Sequence, residues 1–163
     1  MEKLKIYIES SAVSNLEQPT SPKEQSDMRR LWELIKQGRF DVVISTVVME
    51  ELDDIKDSKK REMLSDYLDE IEYEFVEYED HMDPIVDYII RNGILTENHI
   101  EDCQHIACAI TKRCDCLVTY NMRHMLKITT VKGVRALSLL HCGIVIDIVK
   151  AEALIDIGEE NDT

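Results

Sequence analysis

The sequence predicts an α/β fold: a mostly parallel sheet covered on both faces by helices, in one three-layer α/β/α domain. Three observations predict it. Short apolar runs rich in β-branched residues (Leu4–Ile8, Val42–Ser45, Cys116–Thr119, Ile144–Ile148) are nearly continuous rather than alternating, as strands buried on both faces require. Segments with apolar residues at helical spacing separate them, which is the strand–helix alternation of parallel sheets. Acidic residues follow two of these strands, Glu9 after the first and Glu51 six residues after Ser45. In a parallel sheet the carboxyl ends of the strands share one edge, where ligands bind.

Taken in order, strand one is expected over 4–8 and a short helix over 11–17. The Pro19–Pro22 loop follows. Ser21 is placed to cap a helix over 22–37, with Pro22 in its first turn and Met28, Leu31, Trp32 and Ile35 on its apolar face. Gly38 stops that helix. Strand two is 42–45, with helices at 47–55 and 58–71 and a short strand at 73–76. Asp83 is the expected cap of a helix near 83–92, with Pro84 at its first position, Ile85, Tyr88 and Ile89 as its face, and Gly93 at its end. Thr96 or Asn98 is the expected cap of a helix over 99–113 that turns Cys103, Ile106, Ala107 and Ile110 inward. Strand four is 116–119, helices are expected at 122–127 and 132–141, strand five at 144–148 and a last turn of helix at 150–155. Residues 158–163 read as a frayed tail of the single domain spanning 1–163.

Composition narrows the function classes. The 163 residues carry 33 acids and 19 bases, a net charge of −14. Residues 50–83 hold 15 of the acids against 4 bases, so most of the excess sits in one helical region. Between Asp115 and Asp147 there is no acid at all, while Arg123, His124, Lys127, Lys132, Arg135 and His141 fall in that window. Such a basic stretch can steer a phosphate backbone despite the acidic total. No apolar run reaches membrane-spanning length and the N-terminal MEKLKIYIE is too charged for a signal peptide, which places the protein in the cytoplasm. Five cysteines, an odd number, argue against a disulfide framework. Cys114-x-Cys116 near His105 and His124 lacks the C-x-x-C of common zinc sites, so the thiols read as small buried hydrophobes. Neither G-x-G-x-x-G nor a Walker pattern occurs, which argues against nucleotide binding through backbone amides.

Four residues are candidates for chemistry. Glu9 ends strand one at the sheet edge. Glu51 stands beside the apolar stripe of Val48, Leu52 and Ile55, and a half-buried carboxylate there needs a partner. Asp102 lies in the first turn of its helix, where the macrodipole favours negative charge. Asn121 closes strand four. It tolerates the corner backbone, and its amide oxygen is available to orient a water at a metal. His105, one turn after Asp102, reads as a packed, hydrogen-bonded histidine. Gathered carboxylates repel one another, so a cluster at the sheet edge implies a bound cation.

Four blocks in order carry a family resemblance: KIYIESSAVSNL, ISTVVMEEL, EDCQHIACAI and CDCLVTYNMRHM. Together they resemble the PIN-domain ribonucleases, the fold of the VapC-type toxins. The resemblance implies hydrolysis of RNA phosphodiester bonds with Mg²⁺ or Mn²⁺ held by Glu9, Glu51 and Asp102. It gives Asn121 the fourth catalytic position, and it implies an RNA substrate and an antitoxin partner. The basic window makes Arg123, His124, Lys127 and Lys132 the candidates for RNA phosphate contacts. A homodimer is expected because most soluble oligomers are symmetric dimers. The first acid is usually Asp and here is Glu9. That departure supports the alternative, a PIN-like fold with weak or no catalysis that binds RNA or protein. A phosphoacceptor receiver domain is also acidic and doubly wound. It would need an acid pair after strand one, where this chain has Glu9, Ser10 and Ser11.

Overall fold

The computed structural model describes residues 2–17, 19 and 21–160. The strands are β1 (Lys5–Ile8), β2 (Asp41–Ser45), β3 (Glu74–Val76), β4 (Cys116–Val118) and β5 (Asp147–Val149). They form one five-stranded sheet in the order β3-β2-β1-β4-β5, and every pairing is parallel. β2 from Val42 onward and all of β4 are buried without alternation, the signature of a sheet covered on both faces. The helices are α1 (Ser10–Ser14), α2 (Pro22–Lys36), α3 (Thr46–Asp53), α4 (Ser58–Asp69), α5 (Asp83–Arg91), α6 (Ile100–Thr111), α7 (Ile128–Cys142) and α8 (Glu152–Glu160). α2 packs against α8, and α6 against α5 and α7. With right-handed crossovers these two groups cover opposite faces.

Chain order reverses at β1: one run of strands leads out through β2 to β3, the other through β4 to β5. A crevice opens at such a reversal, beyond the carboxyl ends of β1 and β4. The register fixes what reaches it. Ile8 pairs with Val118, so Glu9 and Thr119 leave the sheet side by side, and the Glu9 N–H donates to Val118 O at 3.0 Å.

Local chemistry explains most element ends. Ser21 caps α2 by accepting from Glu24 N, and Pro22 occupies the first turn. Gly38 and Gly93 adopt positive φ just past their helices.

Several expectations are corrected. Asp83 does not cap α5. A 3₁₀ turn at Asp80–Met82 leads into that helix, and the Asp83 carboxylate accepts from the Tyr78 hydroxyl at 2.7 Å. The buried face of α5 is Ile85, Val86 and Ile89, which leaves Tyr88 at its exposed edge. Neither Thr96 nor Asn98 caps α6 through its side chain; a 3₁₀ turn at Glu97–His99 precedes the helix. Residues 122–127 form turns rather than a helix. There Asn121 Oδ1 accepts from His124 N, a local bond that competes with the helical ladder. β5 pairs from Asp147, three residues later than expected, because Ile146 N is engaged by Ser138 Oγ at 3.0 Å. Residues 158–160 are helical, with Gly158 against Leu34 and Phe40, and residues 161–163 lie outside the described residues.

Candidate active site

The crevice is a cleft of about 410 Å³ lined by Glu9, Ser10, Ser11, Ser14, Glu51, Leu52, Ile55, Lys60, Asp102 and Asn121. All four candidate residues border it, delivered by four different elements.

Glu9 is 4 % exposed and serves as the N-cap of α1. Its Oε1 accepts from Ser11 N at 3.1 Å. Its Oε2 accepts from the Ser11 hydroxyl and from Thr119 Oγ1, the latter at 2.7 Å. The longer side chain is therefore folded back and tied to both β1 and β4 ends. Three donors thus hold the carboxylate in one orientation.

Glu51 lies in α3, partly exposed, with its Oε1 in a short contact to His105 Nε2. His105 is fully buried, and the same Nε2 lies 3.8 Å from Glu9 Oε1. The other ring nitrogen, Nδ1, is 2.6 Å from the Tyr7 hydroxyl, which is 2.6 Å from Ser45 Oγ. Burial pushes the Tyr7 phenol well above its ordinary pKa, so it keeps its proton. In the neutral ring the directions are consistent along the whole chain. Nε2–H donates to Glu51, Nδ1 accepts from Tyr7, and Tyr7 accepts from Ser45. Ser45 Oγ in turn takes the Val48 N–H. His105 is thus the packed, hydrogen-bonded histidine that its place in the helix suggested, and it aims Glu51.

Asp102 enters from the first turn of α6. Burial, and then the charge of Glu9, raise its carboxyl above the usual range; His105 and His124 pull the other way, and Glu51 adds to the rise. The carboxylates therefore feel one another across the cleft. Asn121 Nδ2 faces both Asp102 oxygens at 3.4 and 3.5 Å. Its Oδ1 accepts from His124 N at 3.1 Å, and its N–H donates to Thr119 Oγ1 at 3.0 Å. Flipping the amide would set oxygen against carboxylate and NH₂ against N–H. The amide oxygen is thus turned to the backbone, not to a water, and Asn121 orients Asp102.

Among the described residues, the metal-competent groups whose ligand atoms lie within 4.8 Å of one another are Glu9–Glu51–His105 and His99–Asp102–His124. The three carboxylates border one cleft without closing to that spacing: Glu9 and Glu51 meet around His105, and Asp102 stands outside that group. Ionic oxygen donors of this type suit a hard divalent cation, and the mutual repulsion felt at Asp102 is what such an ion relieves. Arg123, Lys127 and Lys132 are exposed and line no part of the cleft, while His124 is half-buried beside Asp102. Sequence reasoning missed Lys60, Ser14 and Tyr7. Lys60 gave no signal, being one base in an acidic stretch.

All five thiols are free, and burial pushes Cys114 and Cys116 up to about 12.

A family model described as PIN domain matches residues 15–123, which include Glu51, Asp102 and Asn121 and begin after Glu9. The chain belongs to the PIN domain family. The fold of this PIN domain is similar to that of VapC20 from Mycobacterium tuberculosis, described as a sarcin-ricin-loop-cleaving toxin. The identity is 13 %, the TM-score 0.57, and the match covers 74 % of this chain and 93 % of that one. It is also similar to VapBC2 from Rickettsia felis, solved bound to a DNA fragment from its promoter. There the identity is 13 %, the TM-score 0.57, and coverage is 90 % and 100 %. No curated protein matches. Among the described residues, no helix of this PIN domain is long and apolar enough to cross a membrane.

Proposed function

We propose that this PIN domain is a metal-dependent endoribonuclease that hydrolyses RNA phosphodiester bonds as the toxin of a toxin–antitoxin pair. One observation carries the reading: in a PIN-family chain, Glu9, Glu51 and Asp102 border a single cleft at the carboxyl ends of β1 and β4. Glu9, Glu51 and Asp102 would hold Mg²⁺ or Mn²⁺. A divalent ion there supplies acidification of a water and neutralisation of the negative charge that builds on the phosphoryl oxygens. The residues of this chain do the positioning. Ser11 and Thr119 fix Glu9, the Tyr7–His105 pair aims Glu51, and Asn121 aims Asp102. Arg123, His124, Lys127 and Lys132 would meet RNA phosphates beside the cleft.

Support for an antitoxin partner is that one structural relative is a VapBC complex. Five free thiols fit a reducing, cytoplasmic setting. A homodimer is the proposed assembly, which sedimentation measures directly.

The test is cleavage of an RNA panel with Mg²⁺ or Mn²⁺, with EDTA and Asp102→Ala as controls. Metal-dependent cleavage lost in Asp102→Ala supports the reading. Cleavage that survives either control overturns it. A second reading, an RNA- or protein-binding module without turnover, is favoured by one feature: Ser11 and Thr119 hydroxyls both occupy Glu9 Oε2. RNA binding with no cleavage under any divalent ion would establish it.

A further inference from the structure

Beside the carboxylate cleft lies a second donor group of different chemistry. His99 ends the 3₁₀ turn before α6, and Asp102 stands three residues later on the same face. His124 arrives from the turn after β4, with Nδ1 3.7 Å from Asp102 Oδ2. The two imidazoles lie face to face, ring centroids 3.8 Å apart and tilted by 31°. One ligand atom from each of the three residues fits within a 4.8 Å separation. Two donors at about 2.1 Å from a tetrahedral ion stand roughly 3.4 Å apart, so a small closure of these side chains completes the geometry.

The group is held in place. Asn121 bridges two of its members, with Nδ2 towards the Asp102 carboxylate and Oδ1 on the His124 backbone N–H. Outer contacts of this kind fix ligands before the ion arrives. Neither imidazole makes a side-chain hydrogen bond among the described residues, so their nitrogen lone pairs are not otherwise used.

We propose that His99, Asp102 and His124 form a binding site for a transition-metal ion of the Zn²⁺ class, adjoining the carboxylate cleft through Asp102. Two imidazole nitrogens select Zn²⁺, Co²⁺ or Ni²⁺ over Mg²⁺, whereas the cleft offers mainly carboxylate oxygens. Three protein ligands leave a coordination position open, as in zinc sites that admit water or a phosphate oxygen. Because Asp102 belongs to both groups, an ion here draws its charge away from the cleft. The inference does not rest on the nuclease reading, since binding is measured without RNA.

The experiment titrates the metal-free full chain with Zn²⁺ by calorimetry and with Co²⁺ by visible absorption. Circular dichroism checks that each variant is folded. His99→Ala and His124→Ala are each expected to weaken Zn²⁺ binding by about tenfold or more. Glu9→Gln and Glu51→Gln are expected to leave it within about threefold, and the Co²⁺ spectrum should lack sulfur charge-transfer bands. Unchanged Zn²⁺ affinity in His99→Ala would overturn the site. So would its complete loss in Glu51→Gln, which would place the ion among Glu9, Glu51 and His105. Sulfur charge-transfer absorption would move the ion to the thiols. If His124→Ala fails to fold, His99→Ala decides alone, because its half-exposed side chain is at the start of α6.

Discussion

Tyr7→Phe isolates the hydrogen-bonded chain that runs from the core to the cleft. The substitution keeps the ring in place and removes one oxygen that sits 2.6 Å from both Ser45 Oγ and His105 Nδ1. Tyr7, Ser45 and His105 are each fully buried, so water cannot replace the lost partner. A buried polar group left unpaired costs about 1–3 kcal/mol. Ser45 Oγ still accepts from Val48 N, but its hydroxyl hydrogen and His105 Nδ1 both lose their partner. The expected destabilisation is about 2–4 kcal/mol, which for a domain of this size lowers Tm by roughly 5–15 °C. Urea unfolding should show the same loss as a lower midpoint with an unchanged slope. The site should respond too. Without the Tyr7 hydroxyl, His105 Nδ1 loses the donor that faces it, while Nε2–H keeps the Glu51 carboxylate as its acceptor. Nitrogen-15 NMR of the histidines reads that change at Nδ1. A loss below about 0.5 kcal/mol, the range of neutral surface changes, together with an unaltered Nδ1 signal would refute the proposed chain.

Other outcomes follow from the same geometry. Asp102→Asn should stabilise the metal-free protein at neutral pH, because burial and Glu9 raise the Asp102 carboxyl above its unfolded value. A raised carboxyl binds its proton more tightly when folded, so its penalty is absent below the unfolded pKa and grows as pH rises through the folded one. The advantage of Asn should therefore shrink towards acid pH in denaturant melts; an advantage that grows there would reverse the argument. Glu9→Asp separates the two functional readings: a large gain in RNA cleavage marks an attenuated nuclease, and continued absence of cleavage marks a binding module. Lys127→Glu with Lys132→Glu should weaken RNA binding and flatten its dependence on salt, each lost phosphate contact removing about 0.7–0.9 from the log–log slope; an unchanged slope would remove both from the interface. Gly158→Ala should cost about 1–3 kcal/mol by overpacking, since the new Cβ would lie 2.8 Å from Leu34 Cδ1 and 2.9 Å from the Phe40 ring. Chemical denaturation measures that, and no change would mean that α8 shifts freely on α2.

The parts of the fold readable from the chain were those governed by local rules. Ile6–Ile8 and Val42–Ile44 are continuous apolar runs, and continuous runs have one use in a parallel sheet. Ser21 and Pro22 announce the start of α2 within a residue. Errors arose where side chains compete with backbone. Asn121 replaces a helical bond after β4, Ser138 holds Ile146 out of β5, and Asp83 serves Tyr78 instead of its own helix.

The candidate site divides along the same line. The sequence by itself determined the acids and the elements that carry them: Glu9 after one strand, Glu51 and Asp102 on helix faces, Asn121 at a corner. Spacing along the chain sets which face a residue occupies, and that is a local property. Only the tertiary structure decided how these groups are connected. Tyr7 and His105 are 98 residues apart, as residues on β1 and α6 must be, and no periodicity encodes their meeting. Strand order and register bring them together, and with them the meeting of His105 with Glu51 and Glu9 and the pairing of His99 with His124. Distances of a few ångströms set the charge and proton balance of the cleft, and those distances exist only once the sheet has closed.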